Sequence, residues 1–176
     1  MGSAMSIRIR NANLDSPGDF AGVCEVLIDC VEGGDSIGFM WPMTRAKAEA
    51  FWRDAFASAA RDERAILIAQ DDTGRIVGTV SVIWVPMENQ PHRAEIAKMQ
   101  VHRSARRRGI GARLLEAAEQ LALGRGRTVL VLDTASADAK RLYERAGWQR
   151  CGVIPNYALM PDGAYCDTVV YYKQLA

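Results

Sequence analysis

The chain has 176 residues, 22 of them Lys or Arg and 21 Asp or Glu, so its formal net charge is +1 with histidines neutral. Near-neutrality argues against nucleic-acid binding by the whole domain, which draws on a basic excess, and a hydrophobic fraction of 49% excludes global disorder. The charge is nonetheless segregated: residues 1–88 carry 8 basic and 13 acidic side chains, residues 89–176 carry 14 and 8.

The length fits one domain over 1–176, with no repeat or Pro/Gly/Ser-rich linker dividing it. The most apolar stretch, 77–87, is shorter than the roughly 20 residues of a membrane-spanning helix and is broken by Gly, Thr, Ser and Pro. No secretory signal pattern opens the chain, which makes the cytoplasm the expected location, and residues 1–4 read as a vector remnant ahead of a native start at Met5. Cys24, Cys30, Cys151 and Cys166 form no CxxC pair, and the histidines are His92 and His102 alone. That pattern favours neither a metal site nor a disulfide framework, and buried thiols are expected.

Taken in chain order, Ile7 and Ile9 alternate with arginines and predict a first strand. Asp15-Ser16-Pro17 supplies an N-cap with proline at the first helical position, opening a helix to about residue 31. A glycine-containing loop follows over 32–43, and Thr44 caps a second helix to about 61, with Trp52 and Phe56 on its core side. Two strands, 64–70 and 75–85, flank the turn Asp71-Asp72-Thr73-Gly74. A strand over 93–101 leads through HRSARRRGIG into a helix over 109–123. The short apolar run 128–133 predicts a central strand buried on both faces. A helix over 137–146 ends at Gly147, and strands over 148–154 and 167–173 close the chain. Strands and helices alternate, as in an α/β sheet whose strand order periodicity does not give.

The turn between Val101 and Leu115 holds five arginines, Arg103, Arg106, Arg107, Arg108 and Arg113, and no acid. A strand enters, Gly109 and Gly111 permit close backbone approach, and a helix leaves with its first N–H groups unpaired, which is an anion cradle. On spacing alone a tight strand-to-helix turn with solvated arginines explains the pattern about as well. It is not a phosphate loop with Gly-Lys-Ser/Thr, nor a dinucleotide fingerprint, because the third glycine is missing.

Arg106-Arg107-Arg108-Gly109-Ile110-Gly111 resembles the Arg/Gln-x-x-Gly-x-Gly/Ala motif of the GCN5-related N-acetyltransferase (GNAT) family. A second block at the expected distance, Ala139-x-x-Leu142-Tyr143-x-x-x-Gly147-Trp148, is similar to the family's A-x-x-L-Y-x-x-x-G-F. Further segments, among them Arg93-Ala94-Glu95, Leu132-Asp133-Thr134 and Gly152-x-x-Pro155-x-Tyr157, resemble the tabtoxin-resistance acetyltransferases of that family, and the likeness covers most of residues 30–175.

The resemblance implies an α/β fold with a mixed, mostly antiparallel central sheet flanked by helices and splayed at the cofactor site. It implies acetyl-coenzyme A as cofactor, its pyrophosphate held over Arg106, Arg107, Arg108, Gly109, Ile110, Gly111 and Ala112, with Met99, Gln100 and Val101 along the pantetheine. Ser136 stands where the family usually has Asn, and its shorter hydroxyl has less reach toward that arm. The implied acceptor is a small amino-acid-like amine or toxin; alternatives are a protein amine, or a non-catalytic acyl-coenzyme A binding module. Homodimers are common in such enzymes, but no stripe in this sequence marks an interface.

Acyl transfer needs a neutral amine. At pH 7, stripping the proton from a lysine-like amine costs about 4.6 kcal/mol, and from an α-amino group near pKa 8 about 1.4 kcal/mol. Glu95 is the candidate general base; on alternation it shares a face with Ala97, Met99 and Val101. Its competing reading is a sheet glutamate paired with Arg93 or Lys98. Asp133, ending an apolar strand, either assists through water or caps the next turn. Tyr143 occupies the family position of the proton donor to the departing thiolate; without the motif it reads as a core tyrosine. Phe39, Met40 and Trp41 are candidates for one wall of the acceptor pocket and Tyr157 with the 161–163 turn for another, against the alternative that these loop side chains fold onto the core.

Overall fold

A computed structural model describes residues 6–176; the reading of residues 1–4 as a vector remnant lies outside them. Twelve elements follow in order: β1 (Arg8–Asn11), α1 (Pro17–Glu32), α2 (Arg45–Ala60), β2 (Arg64–Gln70), β3 (Ile76–Trp84), β4 (Arg93–Val101), a 3-10 turn (Arg103–Ala105), α3 (Ile110–Gly124), β5 (Val129–Thr134), α4 (Ala137–Arg145), β6 (Gln149–Leu159) and β7 (Tyr165–Gln174). The expected caps are in place, Ser16 accepting from the Asp19 N–H and Thr44 from the Lys47 N–H, each satisfying a first-turn donor. Among the described residues no helix is long and apolar enough to cross a membrane.

The sheet has seven strands in the order β1-β2-β3-β4-β5-β7-β6. Every pairing is antiparallel except β4 with β5, which runs parallel through α3. Helices cover both faces. On one side α3 sends Ile110, Leu114, Ala118 and Ala122, four residues apart, against Val80, Ala94 and Leu130, with Tyr143 and Trp148 completing that core. On the other, Val23 and Leu27 of α1 and Trp52 of α2 pack on Ile66 and Ile68. Leu114 is fully buried, so Leu114→Ala removes about 2–5 kcal/mol.

The 128–133 run, expected to be buried on both faces, is buried only at Leu130 and Leu132, its other face opening on the cleft, and three more expectations change. The edge hairpin is longer than predicted, with β6 running to Leu159 and β7 starting at Tyr165, closed by the Met160 N–H on the Ala164 carbonyl at 2.7 Å. Of the four thiols, Cys24 and Cys30 are buried, but Cys151 is exposed on the edge strand β6 and Cys166 of β7 is half-buried at the cleft. The third change concerns β4. Its register on β3 jumps from Ser81 opposite Ala97 to Thr79 opposite Gln100, so two β4 residues face the single Val80. Lys98 sits in this bulge with φ 52°. The bulge reverses the alternation: Glu95 and Ala97 share the α1/α2 face with Gln100, whereas Met99 and Val101 pack on the α3 side. Period-two counting assumes an unbroken strand, and an extra residue exchanges the faces beyond it.

Candidate active site

The parallel pairing of β4 and β5 ends at Glu95 opposite Val131. Beyond it, Ala97–Val101 and Leu132–Thr134 diverge, leaving backbone groups of both inner edges unpaired in the sheet. A cleft of about 1690 Å³ opens there, lined by the ends of β4 and β5, the entrance of α3, one side of α4 and the loop before α2.

At the α3 entrance, Gly109 is the N-cap with φ 74°, and no side chain caps the helix. A Cβ at Gly109 would meet nothing within 4 Å, so the surface above the first-turn N–H groups is open. Gly111 and Ala112 line the same opening. Free N–H groups at the positive end of a helix suit a pyrophosphate, and the unpaired β4 edge suits an extended arm bearing amides. These residues therefore fit coenzyme A.

The arginines of the turn divide their work. The Arg103 side chain pairs with Asp29 at 2.9 Å, and its backbone N–H donates to the same carboxylate at 2.8 Å. Arg106 lines the cleft, but its guanidinium reaches Asp35 at 2.6 Å and the Val101 carbonyl at 2.9 Å. Both clamp α1 and the loop after it to the cofactor turn. Arg107 also lines the cleft, with φ 62°. Ser136 lines it too, its hydroxyl accepting from the Ala139 N–H as the N-cap of α4.

Tyr143 enters from the α3/α4 side. Its ring is wedged between Trp148, at 5.8 Å and 53°, and Tyr171, at 5.9 Å and 50°. These neighbours are tethered in turn, the Trp148 indole N–H donating to Glu119 and the Tyr171 hydroxyl to Glu144, both at 2.8 Å. Burial first and the Asp133 charge second push the Tyr143 phenol well above its usual value, so it stays protonated at neutral pH.

Asp133 and Glu95 project to the opposite face. Asp133 accepts from the Thr168 hydroxyl at 2.8 Å, a bond across to β7 rather than a turn cap. Glu95 lines the cleft half-exposed and pairs with Arg93 at 3.0 Å. That ion pair and access to the cleft coexist, since Glu95 points to solvent on the side where β4 leaves β5.

Of the proposed acceptor wall, Tyr157 lines the cleft, but Phe39, Met40 and Trp41 do not. The Phe39 ring turns onto Phe51 at 5.5 Å, the Trp41 indole N–H donates to the Val31 carbonyl at 2.7 Å, and Met40 is exposed. The wall is made by the preceding residues, Ile37 and Gly38, with Lys98 behind them. The Lys98 ammonium donates to the Ile37 carbonyl at 2.7 Å and lies 5.6 and 5.4 Å from the ring centroids of Phe39 and Phe51. Burial lowers its pKa, and the charge of Asp133 works against that shift. Lys98, Thr168 and Cys166 are cleft residues that sequence reasoning does not bring out. The one signal for Lys98 is a charge inside a mostly apolar half-strand.

A splayed β4/β5 pair, an uncapped α3 entrance and a phenol opposite two carboxylates define an acyl-coenzyme A-dependent transferase. The chain belongs to the acetyltransferase (GNAT) family, whose family model matches residues 24–148, and its acetyl donor is acetyl-coenzyme A. The L-methionine sulfoximine/L-methionine sulfone acetyltransferase of Pseudomonas paraeruginosa is 30% identical over 154 residues, 86% of this chain and 85% of that protein. Among solved structures, a phosphinothricin acetyltransferase from Sinorhizobium meliloti in complex with AcCoA superposes with a TM-score of 0.81 at 18% identity, covering 99% of this chain and 90% of that one. The ribosomal-protein-alanine N-acetyltransferase of Brucella melitensis gives 0.78 at 25% identity, over 96% and 99%.

Proposed function

We propose that this acetyltransferase modifies the amine of a small amino-acid-like molecule, by direct attack in a ternary complex. The observation that carries the reading is the two-sided cleft: the cofactor turn and Tyr143 belong to the α3/α4 side, whereas Glu95 and Asp133 belong to the α1/α2 side, and the two meet where β4 parts from β5. Cofactor and acceptor then approach from opposite faces. When bound, acetyl-coenzyme A supplies an acetyl thioester open to attack by an amine.

The residues take separate roles in this reading. Glu95 accepts the acceptor's ammonium proton, directly or through water with Asp133, and about 1.4 kcal/mol suffices for an α-amino group. Backbone N–H groups over 99–101 polarise the thioester oxygen, and the Tyr143 hydroxyl donates its proton to the departing sulfur. Tyr157, with Ile37 and Gly38, walls the acceptor. The named relative acts on L-methionine sulfoximine and L-methionine sulfone, which supports an acceptor of that kind and a protective role in the cytoplasm against amino-acid-like toxins.

The test is coenzyme A release, followed with a thiol reagent, over a panel of amino acids, their sulfoximine and phosphinic analogues, and simple amines. Release that depends on an amino-acid-like amine is expected. The resemblance in fold to the ribosomal-protein-alanine enzyme favours a second reading, acetylation of a protein amine. Selective protein acetylation in a treated lysate, with no turnover on the small-molecule panel, would replace the first reading by the second.

A further inference from the structure

Among the cations that line the cleft, Lys98 is used by neither the cofactor site nor the proton-transfer roles, and unlike Lys140, Arg141 and Arg145 of α4 it lies on the α1/α2 face. Lys98 occupies the β4 bulge with φ 52°, a left-handed conformation that costs a non-glycine residue energy and persists where the surroundings enforce it. The bulge brings its ammonium to the α1/α2 face, the face of Glu95 and Asp133. One N–H goes to the Ile37 carbonyl, and the rings of Phe39 and Phe51 flank the charge. An ammonium has three donors. Among the described residues no carboxylate pairs with it directly; Asp133 is felt only as a charge at longer range. Lys98 lines the cleft beside the wall of Ile37 and Gly38, and the Ile37 carbonyl takes one of its three donors.

The acceptor side therefore presents two carboxylates and, set apart from them, one fixed ammonium. A simple amine, arriving as a cation, is attracted by the carboxylates but brings no anion to Lys98. A zwitterionic α-amino acid meets both signs correctly, its ammonium toward Asp133 and Glu95 and its carboxylate toward Lys98. We infer that Lys98 binds the α-carboxylate of the acceptor, and so selects free α-amino acids over amines without a carboxylate and over protein side chains. The inference rests on the small-amine reading above and adds to it the group that recognises the substrate class.

The test compares L-methionine sulfone with 3-(methylsulfonyl)propylamine, the same amine without its carboxylate, on the wild type, Lys98→Met and Lys98→Arg. A charge-assisted hydrogen bond corresponds to about a 10- to 100-fold preference in kcat/KM. The wild type is expected to favour the amino acid by that factor, mainly through KM. Lys98→Met should abolish the preference and Lys98→Arg should keep part of it, while acetyl-coenzyme A affinity, measured by calorimetry, holds in both variants. Equal losses on the two compounds, or an unaltered preference in Lys98→Met, overturn the inference alone. A wild type that turns over neither compound, nor any small amine, overturns the small-amine reading and the inference with it.

Discussion

The ring of Tyr143 meets that of Trp148 at 5.8 Å and 53°, and the spacing of the two residues in the chain, five apart across the end of α4, makes that contact. The helix carries the phenol, Gly147 turns the chain, and Trp148 folds back under the ring as β6 begins. A tyrosine only 4% exposed is thus held by its neighbours at the cleft wall. Tyr143→Phe keeps this packing and deletes the proton. The expected result is a fall in kcat of about 10²- to 10⁴-fold, with acetyl-coenzyme A affinity unchanged. Because the folded pKa lies above the ordinary value of about 10, the phenol keeps its proton as pH rises. The wild-type rate should then show no Tyr143-dependent fall through pH 10. Full activity in the phenylalanine variant removes Tyr143 from the mechanism.

Gly109 lets charge and strain be separated at the cofactor turn. Its φ of 74° costs an L-residue roughly 1–2 kcal/mol, yet a Cβ there meets no neighbour. Gly109→Ala tests strain alone and should weaken acetyl-coenzyme A binding at most modestly. Gly109→Asp adds a negative charge over the α3 N-terminus, where an anion is expected, and should weaken binding at least about 10-fold beyond the alanine variant. Equal affinities in the two variants, read by calorimetry, would place the pyrophosphate elsewhere.

Gly38 controls the other wall. With φ 96° and a would-be Cβ 3.0 Å from the Lys98 ammonium, it lets the loop close over that side chain. Gly38→Ala therefore strains the loop through its left-handed φ and crowds the Lys98 ammonium on the α1/α2 side, away from the cofactor turn. Acceptor KM should rise by about 10-fold, matching roughly 1.4 kcal/mol of strain, with acetyl-coenzyme A affinity intact. A change confined to cofactor affinity contradicts the assignment of this loop to the acceptor.

The elements, both helix caps and the cofactor turn were legible because each is written in local chemistry: a period, a Ser-Pro or Thr cap, two glycines at a strand-to-helix junction. The β4 bulge was not, because Lys98, unlike glycine, gives no sign that it takes a left-handed conformation. With the bulge hidden, period-two counting groups Glu95 with Met99 and Val101 and offers Lys98 as a partner for Glu95 instead of a separate cation in the cleft. The segregated charge was visible, but its use is non-local. Asp29, Asp35 and Asp62 from the acidic half bind Arg103, Arg106 and Arg125 from the basic half, so much of the imbalance ties the chain's two halves together. Phe39 faces the α1/α2 core for a related reason, since only the packed structure shows that Phe51 is there to receive it.

The same logic of pairing gives a stability prediction away from the cleft. Arg10 of β1 grips Asp19 in the first turn of α1 through two parallel hydrogen bonds of 2.7 and 2.8 Å, and the Asn13 N–H adds a third at 2.8 Å. Asp19 is 5% exposed, while the Arg10 side chain retains 23%. The Arg10 hydrogen bonds, foremost, hold the Asp19 carboxyl below its usual range despite its burial. Asp19→Asn keeps the shape but loses the charge, and should cost about 2–3 kcal/mol in denaturant unfolding at pH 7. A carboxylate with a depressed folded pKa contributes fully above its unfolded value of about 3.9, and that contribution is lost as pH falls through the folded value. The wild type should therefore lose its margin over Asp19→Asn below about pH 4, and the two unfolding curves should converge in acid. A margin that stays constant from pH 7 to pH 2 would show that the pair stabilises through packing and not through charge.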